Sequence, residues 1–330
     1  YRTRPPLHVR LLIILLQNVK VKPPLTLIIL LVIAGGVLVF RQLNNPVDRH
    51  GEAAYAHTES ILACGPRPAD SDGLKKAQQY ISKELAQHGW STMTQSVVRD
   101  TPLGKKNFVN LIARYDVNQL ESVDDLKAIE TKGILSAHLD SKLIPGIPGF
   151  LGADDAASAC ALIIELAIQL GRKHPELAKQ LEVVFFDGEE AFGENITPSD
   201  GLYGSRAYAV SLYDRKPKPG FGIVLDMIGH KNLKIAVPAD TDRTLYQALL
   251  NAAKSNGYEK HYGMANGNII DDHLYLNKAG VPTIDIIGAD FNHSHWWHQS
   301  GDDLDLISAK SLTISYHTTM TMLVDLLSRP

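Results

Sequence analysis

Val183-Val184-Phe185-Phe186-Asp187-Gly188-Glu189-Glu190 is the stretch from which the fold can be read outward. Four apolar residues, β-branched or aromatic, predict a strand buried on both faces, as in a covered parallel sheet. The run breaks at Gly188 and delivers two adjacent carboxylates, Glu189 and Glu190. Like charges brought together at the end of an apolar strand cost energy unless something offsets them. A divalent metal does so, with one Glu as ligand and the other free as a general base.

Other apolar runs end in the same way. Gly133 to Ala137 predicts a short strand that ends in His138-Leu139-Asp140, and Phe221 to Leu225 another that ends in Asp226. Val281 to Ile287 predicts a buried strand, followed by a loop with His293, His295, Trp296, Trp297 and His298. Between these lie helical patterns over Ala156 to Leu170, Tyr203 to Leu212, Thr241 to Asn256, Asp272 to Lys278 and Ser308 to Leu327. Upstream, Gly51 to Ala63 and Leu74 to His88 predict helices, and Trp90 to Val98 and Asn107 to Tyr115 strands. The acidic, polar segment from Asp116 to Thr131 predicts a surface excursion. Strands alternating with helices predict one α/β domain over residues 45–330, with a mixed, mostly parallel central sheet flanked by helices.

In such a sheet the strand C-termini face one crevice, where ligands bind. His, Asp and Glu from separate strand ends converge only there. Asp155, Glu190 and His298 form a mixed oxygen and nitrogen donor set suited to zinc with one open position. His138 and Asp226 could complete a second metal site, with Asp155 bridging, or serve as hydrogen-bond partners. Asp140 is placed to orient His138 from behind.

The amino-terminal part differs in kind. Leu25 to Phe40 is sixteen residues without a charge, preceded by Arg2, Arg4, Arg10, Lys20 and Lys22. Basic residues before an apolar run predict a membrane anchor over 1–44, with the catalytic domain outside the cytoplasm; a cleaved signal with secretion is the alternative. With 36 acidic against 33 basic residues, a net charge of −3, the composition argues against a nucleic-acid partner. Cys64 and Cys160 form at most one disulfide.

Taken in order, His138-x-Asp140-Ser141, Gly152-Ala153-x-Asp155, Glu189-Glu190, Leu225-Asp226-Met227-Ile228-Gly229 and Trp297-His298-x-x-x-Asp302-Asp303 resemble the zinc aminopeptidase superfamily. Within it the chain is similar to the metazoan-type glutaminyl-peptide cyclotransferases and their bacterial relatives. The marks are His138-Leu139-Asp140-Ser141-Lys142, the motif from Phe185 to Phe192, Leu202-Tyr203-Gly204-Ser205-Arg206 and Asp271-Asp272-His273. The resemblance implies one zinc on Asp155, Glu190 and His298, and peptides with an amino-terminal glutamine as substrates. It implies Glu189 as the proton shuttle, Asp226 and Asp271 as the groups that hold the substrate amine, and Trp297 as a pocket wall. A di-zinc aminopeptidase using His138 and Asp226 for a second zinc is the alternative. Two departures from the family pattern stand out. Gly193-Glu194-Asn195 replaces a tryptophan-bearing segment, and Ala137 stands where a cysteine would pair with Cys160. His293, His295 and Trp296 either offer substitute pocket walls or belong to an exposed loop with incidental aromatics.

Overall fold

A computed structural model describes residues 48–330 other than 119, 290, 292 and 293. The anchor expected over 1–44 lies outside the described residues, among which no helix is long and apolar enough to cross a membrane. In chain order the elements are α1 (Arg49–Leu62), α2 (Asp72–Ala86), β1 (Trp90–Thr101), β2 (Gly104–Tyr115) and α3 (Val123–Ala128). There follow β3 (Gly133–His138), α4 (Ala159–Lys173), α5 (Pro175–Ala178), β4 (Leu181–Phe186), α6 (Tyr203–Tyr213) and β5 (Phe221–Asp226). The remainder are β6 (Ile235–Val237), α7 (Arg243–Ser255), β7 (Tyr262–Met264), α8 (His273–Lys278), β8 (Thr283–Gly288) and α9 (Ala309–Ser328).

The eight strands form one sheet in the order β1-β2-β4-β3-β5-β8-β6-β7. The four central strands run parallel, with His138 of β3 opposite Phe186 of β4 and Asp226 of β5 opposite Ile287 of β8. Antiparallel pairs β1-β2 and β2-β4 flank them on one side and β6-β8 on the other. The sheet is therefore mixed and parallel at its centre, and the ends of β3, β4 and β5 share one edge.

Alternation along β4 shows why its run is apolar throughout. Val183 and Phe185 enter a core with Leu135, Ala137, Ile223 and Leu225 under α4. Val184 and Phe186 enter a second core on the opposite face, with Ile134, Tyr208 and Leu212. Residues two apart share a face, so a strand covered on both sides needs apolar side chains at every position. Helix α4 is buried nearly all round, packed on the sheet and beneath α1 and α9.

Three elements differ from the sequence expectation. The helix expected from Ala156 begins at Ala159, because Ala153–Ser158 forms a wide turn with non-helical backbone at Asp155 and Ala156. The excursion after Asp116 contains α3, opened by a reciprocal cap between Ser122 and Asp125. Strand β7, only three residues long, carries no periodicity and is held by pairing with β6. The two cysteines are free thiols, and Cys160 Sγ lies 3.0 Å from the His138 carbonyl oxygen.

Gly204, in the first turn of α6, has no room for a side chain. A Cβ there would meet Asn110 Oδ1 and the Asp187 carbonyl oxygen, each at 2.3 Å. Gly204→Ala is expected to cost about 1–3 kcal/mol by overpacking, with activity reduced because Asp187 leads directly into Gly188-Glu189. A urea midpoint equal to that of the wild type would overturn this.

Candidate active site

The Glu189-Glu190 turn depends on Gly188, whose φ of +72° and approach to the Phe108 ring (2.3 Å from an added Cβ) leave no place for a side chain. Beyond it, the amides of Glu189 and Glu190 donate to the two Asp140 carboxylate oxygens at 3.1 and 3.2 Å. A second carboxylate does the same for the turn that opens α4: Asp302 accepts from the amides of Asp154 (2.7 Å) and Asp155 (3.2 Å). Each acid-bearing turn is thus held by a buried carboxylate from another loop.

These turns bring the expected residues together. Asp155, Glu190 and His298 present ligand atoms within 4.8 Å of one another, and so do His138, Asp155 and Asp226. His298 Nε2 lies 3.4 Å from both Asp155 Oδ2 and Glu190 Oε1, and His138 Nε2 lies 3.0 Å from Asp155 Oδ1. The two groups share Asp155. Glu190 Oε1, His138 Nε2 and Asp226 Oδ1 are buried without a hydrogen-bond partner among the described residues. Buried ionisable atoms left in this way need a cation, and the oxygen and nitrogen donors fit zinc.

The surrounding field is consistent with that. Burial opposes protonation of His298, yet its contacts with Asp155 and Glu190 outweigh burial and lift the imidazole to about 9. Burial likewise opposes ionisation of Asp155, but its close approach to the His138 and His298 imidazoles holds it far below the carboxylate range. The site attracts positive charge, and a divalent ion would satisfy it while displacing these protons.

Glu189 belongs to neither donor group. Burial pushes its carboxyl well above the usual range, with Glu190, Asp271 and Asp272 adding to the effect and His138 opposing it. A buried carboxyl beside a metal group is suited to proton transfer. Glu189, Asp226 and Asp271 line a cavity of about 260 Å³ together with Asp155, Glu190 and Trp297. The Trp297 ring stacks on His298 with centroids 3.8 Å apart, so one aromatic both walls the cavity and orients the His298 imidazole.

The Asp140 carboxylate serves the Glu189 and Glu190 amides and also lies 3.6 Å from His138 Nδ1, which meets the Asp140 carbonyl oxygen at 3.1 Å. One expectation is corrected. Trp296 does not wall the cavity; it lies against His230 in a separate recess, and His295 is exposed. His293 lies outside the described residues.

Several site residues were not legible as such. Lys142 donates to Glu190 Oε2 (3.2 Å) and to the Ala191 carbonyl (2.9 Å), which leaves Glu190 Oε1 to face His298. Behind Asp271, Asp272, His273 and Asp285 form a buried group in which burial, with the Asp271 charge adding, pushes Asp272 and Asp285 well above the carboxylate range. One signal for Asp285 was present: a carboxylate in the middle of the apolar run Thr283-Ile284-Asp285-Ile286-Ile287.

Comparison with known proteins places this geometry. Residues 123–323 match the model of peptidase family M28. A glutaminyl-peptide cyclotransferase of Dictyostelium discoideum is 31% identical over 291 residues, covering 76% of this chain and 78% of that protein. The chain belongs to the glutaminyl-peptide cyclotransferases of peptidase family M28. A solved glutaminyl cyclase from an Acidobacteriales bacterium superposes with a TM-score of 0.72 at 31% identity, covering 87% of this chain and 98% of that one. A Zn-dependent exopeptidase from Parabacteroides distasonis also has a TM-score of 0.72, at 26% identity over 84% of this chain and 98% of that one. The cyclotransferases and the exopeptidase thus share the fold that carries the donor groups described above.

Proposed function

We propose that the chain converts the amino-terminal glutamine of peptides into pyroglutamate, with release of ammonia. The observation that carries this is the placement of Glu189, a buried carboxyl outside both donor groups, in a small cavity walled by Trp297. In this reading Asp155, Glu190 and His298 hold one zinc. When bound, it supplies Lewis acidity to the γ-carboxamide oxygen of the substrate.

The chain's own residues do the rest. Asp226 and Asp271 hold the substrate α-amine over the cavity floor, and Trp297 closes one side of the glutamine side chain. Glu189 accepts a proton from the amine as its nitrogen bonds to the carboxamide carbon. The same carboxyl returns that proton to the departing nitrogen, so the carbon–nitrogen bond breaks and ammonia leaves. Because attack is intramolecular, much of the rate gain comes from holding the chain folded on itself.

The group His138, Asp155 and Asp226 supports a second reading, a two-metal aminopeptidase in which Glu189 activates water. One experiment separates them: a mass spectrum of a Gln-initiated peptide after incubation with the zinc-loaded protein. Loss of ammonia from an otherwise intact peptide is the expected result. Release of the whole amino-terminal residue would replace cyclisation by hydrolysis.

A further inference from the structure

The cavity wall is divided in character. Its floor is buried acid: Asp155, Glu189, Glu190, Asp226 and Asp271. Besides Trp297, the lining includes two segments with exposed residues, Glu194-Asn195-Ile196 and Asn268-Ile269-Ile270. The first is held from below by Asp200, which accepts from the amides of Phe192 (3.0 Å) and Gly193 (2.8 Å) and from the Tyr203 hydroxyl (3.0 Å). Asp200 is itself buried, so the loop that carries Glu194 is anchored rather than hung in solvent.

Glu194 is exposed and makes no ion pair or hydrogen bond among the described residues. Lys142 is the one lysine or arginine among the described residues that line the cavity, and it is buried and engaged with Glu190 and the Ala191 carbonyl. Among the described residues, no lysine or arginine of the lining therefore answers Glu194. A cavity of about 260 Å³ is large enough to take a glutamine side chain. The residue after that glutamine then meets the exposed part of the lining, to which Glu194 and Ile270, a residue 58% exposed, both belong.

We propose that Glu194 reads the charge of the second substrate residue, making the chain selective for peptides with Lys or Arg at that position and against Asp or Glu. This rests on the cyclotransferase reading of the site. In this proposal Glu194 meets the cationic head, and Ile270, exposed in the same lining, offers apolar surface to the aliphatic stem. Charge complementarity of this kind sets specificity and encounter rate more than binding strength.

The test compares kcat/KM for the tripeptide amides Gln-Lys-Ala, Gln-Ala-Ala and Gln-Glu-Ala, with products identified by mass. The expected order is Lys over Ala over Glu, each step about two- to five-fold, as for an exposed charge pair. The ratios should shrink toward one at about 1 M salt, where screening acts within roughly 3 Å. Taken as ratios within each enzyme, the preference should vanish in Glu194→Gln and invert in Glu194→Lys. Equal values for the three peptides in the wild type, or an unchanged ratio in both variants, would overturn the proposal. Hydrolysis with the same charge order would overturn only the cyclotransferase reading. No reaction with any peptide would overturn both.

Discussion

Glu189→Gln is expected to retain zinc at the wild-type stoichiometry while kcat falls by about 10²–10⁴-fold, the usual contribution of a positioned acid–base group. The substitution keeps the shape of the side chain and leaves the Glu189 amide free to donate to Asp140 as before, since that bond comes from the main chain. The donor groups, to which Glu189 does not belong, are untouched. The loss should appear in kcat more than in KM, as for a group that acts as the bond forms. Glu190→Gln offers the contrast: it replaces a carboxylate of the donor group and should lower metal content together with activity. Metal analysis beside steady-state rates checks both, and near-full turnover by Glu189→Gln would remove it as the proton shuttle.

At the opposite end of the same strand, Glu182→Ala is expected to destabilise the protein by about 3–5 kcal/mol. Glu182 is fully buried and accepts from Arg215 Nη1 (2.9 Å) and Nη2 (3.0 Å), as well as from the Tyr208 hydroxyl. Arg114 Nη1 approaches it at 3.4 Å and is itself fully buried, bonding onward to Thr131 and to the carbonyls of Glu130 and Lys179. Removing the one carboxylate leaves two buried guanidinium groups without their anion, and the cost lies in those orphaned charges more than in the lost bonds. Urea unfolding followed by circular dichroism measures it, and a shift of the midpoint by less than that of a surface substitution would sink the argument. Because Glu182 lies near the start of the strand whose far end leads into Glu189, turnover under folding conditions should change far less than stability.

The two ends of β4 also separate what is legible in a sequence from what is not. Glu189 and Glu190 stand out because they follow an apolar run and a glycine, a local signature. Glu182 interrupts an apolar strand at its start, yet nothing nearby in the sequence identifies Arg114 or Arg215 as its partners. Asp302 shows the same limit: its place in a motif was visible, its grip on the Asp154 and Asp155 amides was not. Asp140 was recognisable as a supporting carboxylate, but the atoms it supports depend on how its loop crosses the end of β4. Trp296 and Trp297 are adjacent, and only the course of the loop sends one into the cavity and the other against His230.

The amino-acid sequence by itself determined the alternating α/β architecture, the two-faced burial of β4 and the convergence of acids and histidines on one sheet edge. Each follows from contiguous residues: periodicity sets the faces, and a parallel centre puts strand C-termini together. Only the tertiary structure decided which carboxylate holds which turn, how Lys142 leaves one oxygen of Glu190 to face His298, and that no lysine or arginine among the described lining residues answers Glu194. Those pairings join elements tens of residues apart. They are set by the register of the sheet and the packing of its loops, and no local pattern encodes them.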